Sequence, residues 1–437
     1  MAQWRQNGME ARGIGQVWRL GNGARLVREA RPSEGPLSVA IVMGVGSRHE
    51  VAEAEWGAAH FLEHAVFKGA GAWDGKGLAA WMDRLGGEVN AFTTRDYTCY
   101  YAKVLPEFGD SAFELLTTMV FDPRLDPEDL DRERAVIAEE ILEAEDDLED
   151  RCEAAYLAAL YPDPTFTHEI LGTAQSIAGL DRERLVAFHR RWYQPAHTIF
   201  AVAGEGAWEL AERLLARHGG RNEDDRYPKG PGATLPVQPR EVVERVDRDQ
   251  VHWMVGAPAP PPPSWRAALV GEVAATVMAG QNSARLWQRL REERGLVYTL
   301  QSGYSAHRDR AEMSVYAVVS PAKLEEALRV TGDEIAALAT GAQLGEAVER
   351  AKVQVETAVR FQWETSDGRM LHLVRHVLEG AKAPPTLEEM VAGIRTIEER
   401  EVQAVLAETW GDPARWAVAA VGPVPRRWTS LRTRLGA

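Results

Sequence analysis

Hydrophobic and polar positions along the first half of the chain form patterns that predict strands and helices in turn. Short apolar pieces from Ile14 to Arg28 flank the turn Gly21-Asn22-Gly23, which indicates a β-hairpin. The apolar run from Leu37 to Val45 is typical of a buried strand, and Trp56 to Phe67 has helical spacing. Val89 to Val104 is rich in Thr, Tyr and Val, and predicts one or two strands.

Two further helices follow from start and stop signals. Leu78 to Leu85 has helical spacing and ends at Gly86-Gly87, which suits a helix stop. Asp126 to Glu153 predicts one long and very acidic helix, because Asp126-Pro127 is a good start signal with proline in the first turn. The first half therefore mixes both element types.

The second half restarts the same kind of pattern after a break rich in Gly, Pro, Asp and Asn. The break predicts a linker at 221–240, between a domain at 1–220 and a domain at 241–437. Glu241 to Gly256 is strand-like. The prolines from Pro258 to Pro263 favour a stiff connector into a helix near Trp265, with a polyproline recognition site as the alternative. Strand-and-helix order in both halves predicts a layered α/β or α+β architecture used twice.

Composition narrows the classes of function. The chain has 437 residues, of which 45% are hydrophobic and 26% charged, as in a globular protein of two domains. A net charge of −15 disfavours nucleic acid as a partner, and no apolar run is long enough to span a membrane. Met1 to Gly15 lacks the apolar core of an export signal. Cys99 and Cys152 are too few for a disulfide framework and predict buried thiols, so we expect a cytoplasmic protein.

The segment from His60 to His64 combines two histidines four residues apart with Glu63 between them. Residues four apart on a helix lie almost above one another, so both imidazoles can reach one ion. Zinc favours nitrogen ligands, and a catalytic zinc takes a third protein ligand while leaving a position for water. Glu63 would project beside the metal, where it can accept a proton from zinc-bound water and return it to a leaving amine. The sequence therefore predicts one zinc ion per chain.

Spacing leaves two questions about metal ligands open. His372 and His376 are also four apart, but Arg375 stands where the base would be and cannot accept a proton. Hydrogen-bonded or solvent-facing histidines are the better interpretation there. The third zinc ligand should be a carboxylate from another element, and spacing does not choose among the glutamates of the acidic helix. These are Glu133, Glu139, Glu140, Glu143 and Glu145.

The order of the zinc motif, His-x-x-Glu-His, inverts a more common zinc motif and is the inverzincin signature. The wider sequence resembles the family of pitrilysin, insulin-degrading enzyme and mitochondrial processing peptidase over nearly the whole chain. The matching stretches are Gly46-Ser47-Arg48, His60 to His64, Phe67-Lys68-Gly69, Gly86 to Thr93, Glu133 to Ile141, Gly172 and Tyr193-Gln194-Pro195. The resemblance implies an α+β fold of two homologous α/β sandwich domains, each a mostly antiparallel sheet with packed helices.

The resemblance also selects residues that spacing leaves undecided. The family places its metal-binding glutamate directly after a Val-Ile-x-Glu run, which implies Glu140, 76 residues after His64, as the third ligand. Glu139 points about 100° away from Glu140 on a helix. Glu133 lies seven residues before Glu140 on the same face, and it resembles the glutamate that supports the ligands by hydrogen bonding.

Two more elements resemble the family's substrate site. Asn90, Ala91 and Phe92 lie in a strand that would bind a peptide along its edge by main-chain hydrogen bonds, with plain strand packing as the alternative. In the second half, which lacks the zinc motif, Arg291 and Tyr298 match an arginine and a tyrosine seven residues apart. By resemblance, Arg291 would bind the peptide backbone, and Tyr298 would polarise the scissile carbonyl or stabilise its oxyanion. A surface ion pair is the alternative for Arg291.

These residues together predict a zinc-dependent metalloendopeptidase that cleaves peptides or unfolded polypeptide segments. The alternative is a non-catalytic, peptide-binding partner subunit, but such subunits usually lack a zinc ligand or the base, and this chain keeps them all. The family builds a closed chamber from four domains, and this chain supplies two. We therefore expect a homodimer, with a heterodimer with a related chain as the other option. Arg291 and Tyr298 would then serve the partner's zinc.

Overall fold

The computed structural model describes residues 16–29, 34–221, 240–341, 344–380, 383–426 and 430–436. The described residues of 1–137, 170–230 and 360–389 form one compact unit, and those of 138–169, 231–359 and 390–437 form a second. Each half of the sequence therefore contributes a segment to the unit built mainly by the other half. Most of the predicted linker (222–239) and the region searched for an export signal (1–15) lie outside the described residues.

The first unit is built on a twisted seven-stranded sheet with a small two-stranded ribbon beside it. Its strands are β1 (Gln16–Leu20), β2 (Arg25–Arg28), β3 (Leu37–Met43), β4 (Gly69–Ala70), β5 (Trp73–Asp74), β6 (Glu88–Thr93), β7 (Thr98–Val104), β8 (Thr198–Ala203) and β9 (Gly220–Arg221). The order in the sheet is β6-β7-β3-β8-β2-β1-β9, and β4 pairs with β5. The predicted hairpin is present, since β1 and β2 pair antiparallel with Gln16 opposite Arg28.

The second unit contains a five-stranded sheet of matching topology. Its strands are β10 (Glu241–Arg245), β11 (Val251–Ala259), β12 (Val297–Ala306), β13 (Ala311–Val319) and β14 (Ala417–Gly422). Their order is β10-β14-β11-β13-β12, and only the β10–β14 pair is parallel. In the first sheet β2, β8, β3, β7 and β6 pair in the same order with the same directions. The predicted fold class, two related and mostly antiparallel α/β sandwiches, is confirmed.

Helices cover the sheets and connect their strands. They are α1 (Ala58–Ala65), α2 (Gly75–Leu85), α3 (Gly109–Phe121), α4 (Pro127–Asp146), α5 (Leu148–Leu160), α6 (Pro164–Thr167), α7 (Ala174–Gly179), α8 (Arg182–Trp192), α9 (Ala207–His218), α10 (Trp265–Ala279), α11 (Arg285–Trp287), α12 (Leu324–Ala339), α13 (Gly345–Trp363), α14 (Ser366–Leu378), α15 (Leu387–Arg395), α16 (Glu399–Trp410) and α17 (Arg432–Leu435). Within the described ranges, no helix combines the length and the apolar character needed to cross a bilayer.

Each sheet is covered on one face by a helix from the other half of the sequence. In the first unit Ala40 and Val42 of β3 share an apolar cluster with Met370 and Val374 of α14. In the second unit α5 packs its Tyr156 into a cluster with strands β11, β13 and β14. Because side chains alternate along a strand, the opposite faces remain available for α1 and α3 in the first unit and α10 in the second.

The structure corrects the prediction of one long acidic helix. The helical pattern from Asp126 to Glu153 is divided at Asp147, where α4 ends and α5 begins. The Asp147 side chain accepts hydrogen bonds from the backbone N–H groups of Glu149 (2.7 Å) and Asp150 (3.3 Å). A capping carboxylate satisfies orphan donors at a new helix start, and this outweighs the continuous helical pattern. The strand-like pattern from Glu241 to Gly256 is also divided, into the two strands β10 and β11.

Both cysteines are buried and free, as predicted: Cys99 lies in β7 and Cys152 in α5. Burial in apolar surroundings raises the pKa of each thiol far above its ordinary value, because the charged thiolate loses its hydration. Both therefore behave as small apolar side chains. The cytoplasmic location stays a prediction.

Candidate metal centre

A buried carboxylate accepts hydrogen bonds at the start of helix α1, which carries the predicted zinc motif. Glu50 is fully buried, and its two oxygens accept hydrogen bonds from the N–H groups of Gly57 and Ala59, each at 2.8 Å. Negative charge at a helix N-terminus is stabilised by the unsatisfied N–H groups and by the helix dipole. Glu50 therefore takes the place of a capping side chain, which Gly57 lacks.

Gly57 itself is required by backbone geometry. It precedes α1 with φ +87°, in the left-handed region that glycine adopts readily. A Cβ at this position would lie 2.5 Å from Cδ1 of Ile177 and 2.7 Å from the carbonyl oxygen of Leu171. The Ile177 side chain could shift but the backbone oxygen of Leu171 could not, so the close approach of the chain at the start of α1 requires glycine.

The structure brings His60, His64 and Glu140 together. One ligand atom from each lies within 4.8 Å of those from the other two, and all three side chains are partly buried. The two imidazole rings, one helical turn apart on α1, have centroids 4.6 Å apart. Two histidine nitrogens and one carboxylate oxygen are a ligand set that suits zinc and that leaves a coordination position for water. The residues present therefore fit the predicted ion.

The electrostatics of His60 also suit a metal ligand. Burial and the neighbouring His64 lower the pKa of His60 to about 4, because both disfavour a positive charge on the ring. Its imidazole is therefore neutral at pH 7, and a neutral imidazole is the form that binds a metal through a nitrogen lone pair.

Glu133 of the neighbouring helix α4 contacts His64 of α1. Its Oε2 lies 3.2 Å from Nδ1 of His64, and its Oε1 lies 2.8 Å from Nζ of Lys68. A carboxylate that binds one ring nitrogen fixes the orientation of the imidazole and directs the other nitrogen away from it. Two turns further along the same continuous helix, Glu140 lies on the same face. The placement agrees with the supporting role predicted for Glu133, which stays a prediction.

The predicted base, Glu63, is partly buried on α1 and accepts a hydrogen bond from the neighbouring strand. Oγ1 of Thr93, the last residue of β6, lies 2.5 Å from Oε2 of Glu63. A short hydrogen bond from a hydroxyl to a carboxylate is among the stronger types in proteins. The carboxylate therefore has a defined position next to the two histidines.

Among the residues that the structure describes, strand β6 forms one edge of the seven-stranded sheet, with β7 as its neighbour. The other side of β6 is therefore a sheet edge of the kind that can accept an extended peptide. Asn90 lies on this strand, and its Oδ1 accepts a hydrogen bond from the N–H of Ala91 at 2.8 Å. A peptide that uses this N–H must displace the Asn90 side chain. Phe92 instead stacks edge-on against Tyr97, with ring centroids 5.9 Å apart.

In the second unit, Arg291 and Tyr298 lie at two irregularities of the backbone. Arg291 belongs to a π-helical turn, Gln288–Glu292, and Tyr298 lies at a β-bulge between Val297 and Thr299. Nη1 of Arg291 donates to the carbonyl oxygen of Tyr298 at 3.0 Å, and its guanidinium lies over the Trp287 ring. The Tyr298 side chain is 81% exposed. Both kinds of irregularity are frequent at functional sites.

Comparison with known proteins identifies the family of this chain. Residues 25–174 match the sequence family described as Insulinase (Peptidase family M16), and residues 179–355 match the Peptidase M16 inactive domain. A protein named uncharacterized zinc protease from Mycobacterium tuberculosis is 34% identical over 413 residues, covering 92% of each chain. The chain belongs to peptidase family M16. The predicted resemblance is thereby confirmed.

More distant relatives of this M16 chain match it over nearly their full length. The uncharacterized zinc protease YmxG of Bacillus subtilis is 27% identical over 410 residues, which covers 92% of this chain and 97% of YmxG. A protease from Helicobacter pylori superposes with a TM-score of 0.81 at 19% identity, covering 94% of this chain and all of that one. The peptidase M16 inactive domain from Pseudomonas fluorescens gives 0.80 at 17% identity, with 94% and 98% covered. These solved structures show the shared fold.

The remaining sequence candidates of the M16 chain lie outside the metal centre. His372 and His376 are buried in α14, where His372 Nε2 lies 2.9 Å from the Pro385 carbonyl and His376 Nδ1 lies 2.9 Å from the His372 carbonyl. This is the hydrogen-bonded arrangement that the sequence favoured. The other candidate glutamates of α4 are exposed; they are Glu139, Glu143 and Glu145.

The sequence assigned no role to three residues of this M16 chain that contact the start of α1 or the side chains around the candidate metal centre. Glu50 caps α1, Thr93 holds Glu63, and Lys68 pairs with Glu133. Lys68 and Thr93 lie in stretches that match the family, but their residue types alone do not indicate these contacts. Glu50 carries no local signal, because its partners lie seven and nine residues further along the chain.

Proposed function

We propose that this M16 chain is a zinc-dependent endopeptidase that cleaves peptides or unfolded polypeptide segments. The observation that carries the proposal is the convergence of His60 and His64 of α1 with Glu140 of α4. Their ligand atoms lie within 4.8 Å of one another, and Glu63 is on the same helix as the two histidines. Relatives that match this chain over nearly their full length are named zinc proteases, and they support the choice of metal and of reaction class.

The proposed chemistry divides between the ion and the side chains. A Zn²⁺ ion held by His60, His64 and Glu140 would polarise the scissile carbonyl and would lower the pKa of a water molecule in the site. Glu63 accepts a proton from the attacking water and then delivers it to the amine as the peptide C–N bond breaks. One carboxylate thus serves as base and as acid, so no second proton donor is needed for the leaving group.

Substrate binding in the proposed function uses backbone groups more than side chains. An extended peptide adds to the edge of β6 near Asn90 and Ala91, where main-chain hydrogen bonds hold it without reading much of its sequence. A folded protein does not present a free extended strand, so the proposal restricts cleavage to peptides and unfolded segments. The hydroxyl of Tyr298 donates a hydrogen bond to the developing oxyanion, and Arg291 contacts the peptide backbone.

A chelator experiment tests the proposed function directly. The purified protein should contain one zinc per chain by elemental analysis. It should cleave an unfolded peptide, while a folded protein of similar amino-acid composition stays intact. Removal of zinc with 1,10-phenanthroline should abolish cleavage, and added zinc should restore it. Zinc with peptide binding but no turnover would favour a non-catalytic subunit. A protein that binds no zinc would refute the metal centre.

A complementation experiment tests the proposed homodimer, in which Arg291 and Tyr298 serve the partner's zinc. Glu63→Gln and Tyr298→Phe chains should each be nearly inactive alone. Co-expressed, they should recover about a quarter of the wild-type activity, because about half of the dimers are mixed and each has one complete site. A doubly substituted chain mixed with wild type is the matched control. No recovery from a dimer confirmed by light scattering would mean that Tyr298 acts within its own chain.

A further inference from the structure

The hydrogen bond from Thr93 to Glu63 joins the helix of the metal centre to the edge strand. Thr93 is the last residue of β6, opposite Thr98 of β7, and its Oγ1 lies 2.5 Å from Oε2 of Glu63. Glu63 lies on α1, 30 residues earlier in the chain. The contact therefore depends on the packing of two separate elements and not on local sequence.

The backbone around Thr93 is held in place by the turn that follows it. The N–H of Thr94 donates to the Tyr97 carbonyl oxygen at 2.8 Å, and the N–H of Tyr97 donates to Oγ1 of Thr94 at 3.0 Å. Asp96 of the same turn forms an ion pair with Arg48 at 2.8 Å. Threonine is β-branched, so its χ1 angle is restricted in a strand. The hydroxyl of Thr93 is consequently presented from a rigid position.

The Glu63 side chain, in contrast, has three rotatable bonds and needs an external constraint. A general base acts only when its carboxylate is within hydrogen-bonding distance of the proton that it removes. Displacement of a reacting group by about 1 Å can lower a rate by about 100-fold. A base on a flexible side chain therefore gains from a hydrogen bond that selects one rotamer.

We propose that Thr93 is a positioning residue for the base Glu63. Its hydroxyl donates to Oε2 and keeps its own proton throughout, so that the carboxylate is held in one orientation for accepting the proton of the attacking water. Because Thr93 belongs to the strand proposed to bind the peptide, the same rigid element orients both the base and the substrate. This inference rests on the proposed function of Glu63, and it adds a residue that acts through Glu63 without touching substrate.

Two substitutions separate positioning from a merely structural tie between β6 and α1. Thr93→Val keeps the branched shape and removes the hydroxyl, whereas Thr93→Ser keeps the hydroxyl and removes the methyl group. For Thr93→Val we expect kcat to fall by about 10- to 100-fold, with KM and the zinc content unchanged. Thr93→Ser should stay within about threefold of the wild-type kcat, because the donor remains. An unchanged kcat in Thr93→Val, or an equal loss in Thr93→Ser, would overturn the proposal.

A second measurement does not depend on activity. In crystal structures of the metal-free protein, the Glu63 side chain should occupy one rotamer in wild type and in Thr93→Ser, and several in Thr93→Val. A single unchanged rotamer in Thr93→Val would contradict positioning by Thr93. This result is decisive even if the wild-type protein cleaves no peptide, which would refute the proposed function and leave the role of Thr93 to the rotamer comparison.

Discussion

Replacement of Glu63 by Gln is expected to lower kcat for peptide cleavage by about 10²- to 10⁴-fold while zinc stays bound. The amide has nearly the shape of the carboxylate and can remain next to Thr93, but it cannot accept a proton. His60, His64 and Glu140 are unchanged, so the metal should bind as before. Elemental analysis and steady-state kinetics on an unfolded peptide measure the two quantities separately.

The interpretation of Glu63→Gln depends on its control. Glu107→Gln changes an exposed glutamate in the turn Pro106–Phe108 of the same unit and should leave kcat and KM unaltered. If Glu63→Gln digested the peptide at the wild-type rate, Glu63 could not be the base. If it lost zinc together with activity, the loss would report on the integrity of the metal centre and not on proton transfer.

The parts of the site that the sequence predicted are those encoded within one element. His60 and His64 are spaced by the period of a helix and Glu63 lies beside them, so the placement of all three on one side of α1 follows from the residues of α1 alone. The start of α4 at Pro127 and the end of α2 at Gly86, which has φ +63°, follow from equally local signals. Each of these features was predictable because it needs no knowledge of the fold.

The parts that spacing could not supply arise from packing between elements. Glu140 could not be chosen among the acidic residues of α4 without the family resemblance, because which face of α4 meets α1 is decided by tertiary structure. Glu50 and Thr93 were not predicted at all, since a buried loop carboxylate and a strand hydroxyl are ordinary residue types. The division of the acidic helix at Asp147 was missed because the same side chain suits both a helix face and a cap.

A pair of adjacent substitutions on α4 gives the sharpest test of the third metal ligand. Glu140→Gln should weaken zinc binding by more than about 100-fold, because loss of a direct ligand exceeds the 10- to 100-fold effect of losing a supporting partner. A neutral amide oxygen is also a poorer ligand for Zn²⁺ than a carboxylate, and it removes a charge that offsets the ion. Titration against a chelator of known affinity measures the change.

Glu139→Gln is the matched control, since it makes the same chemical change one residue earlier on the same helix. Glu139 is exposed and points about 100° away from Glu140, so zinc affinity should stay within about twofold of wild type. Glu133→Gln should fall between the two, because Glu133 contacts the ring of His64 and is proposed to support that ligand without binding the ion itself. Loss of zinc in Glu139→Gln with retention in Glu140→Gln would mean that α4 presents a face rotated by one residue. Glu139 would then replace Glu140 as the third ligand beside His60 and His64, and the motif on α1 would be unchanged.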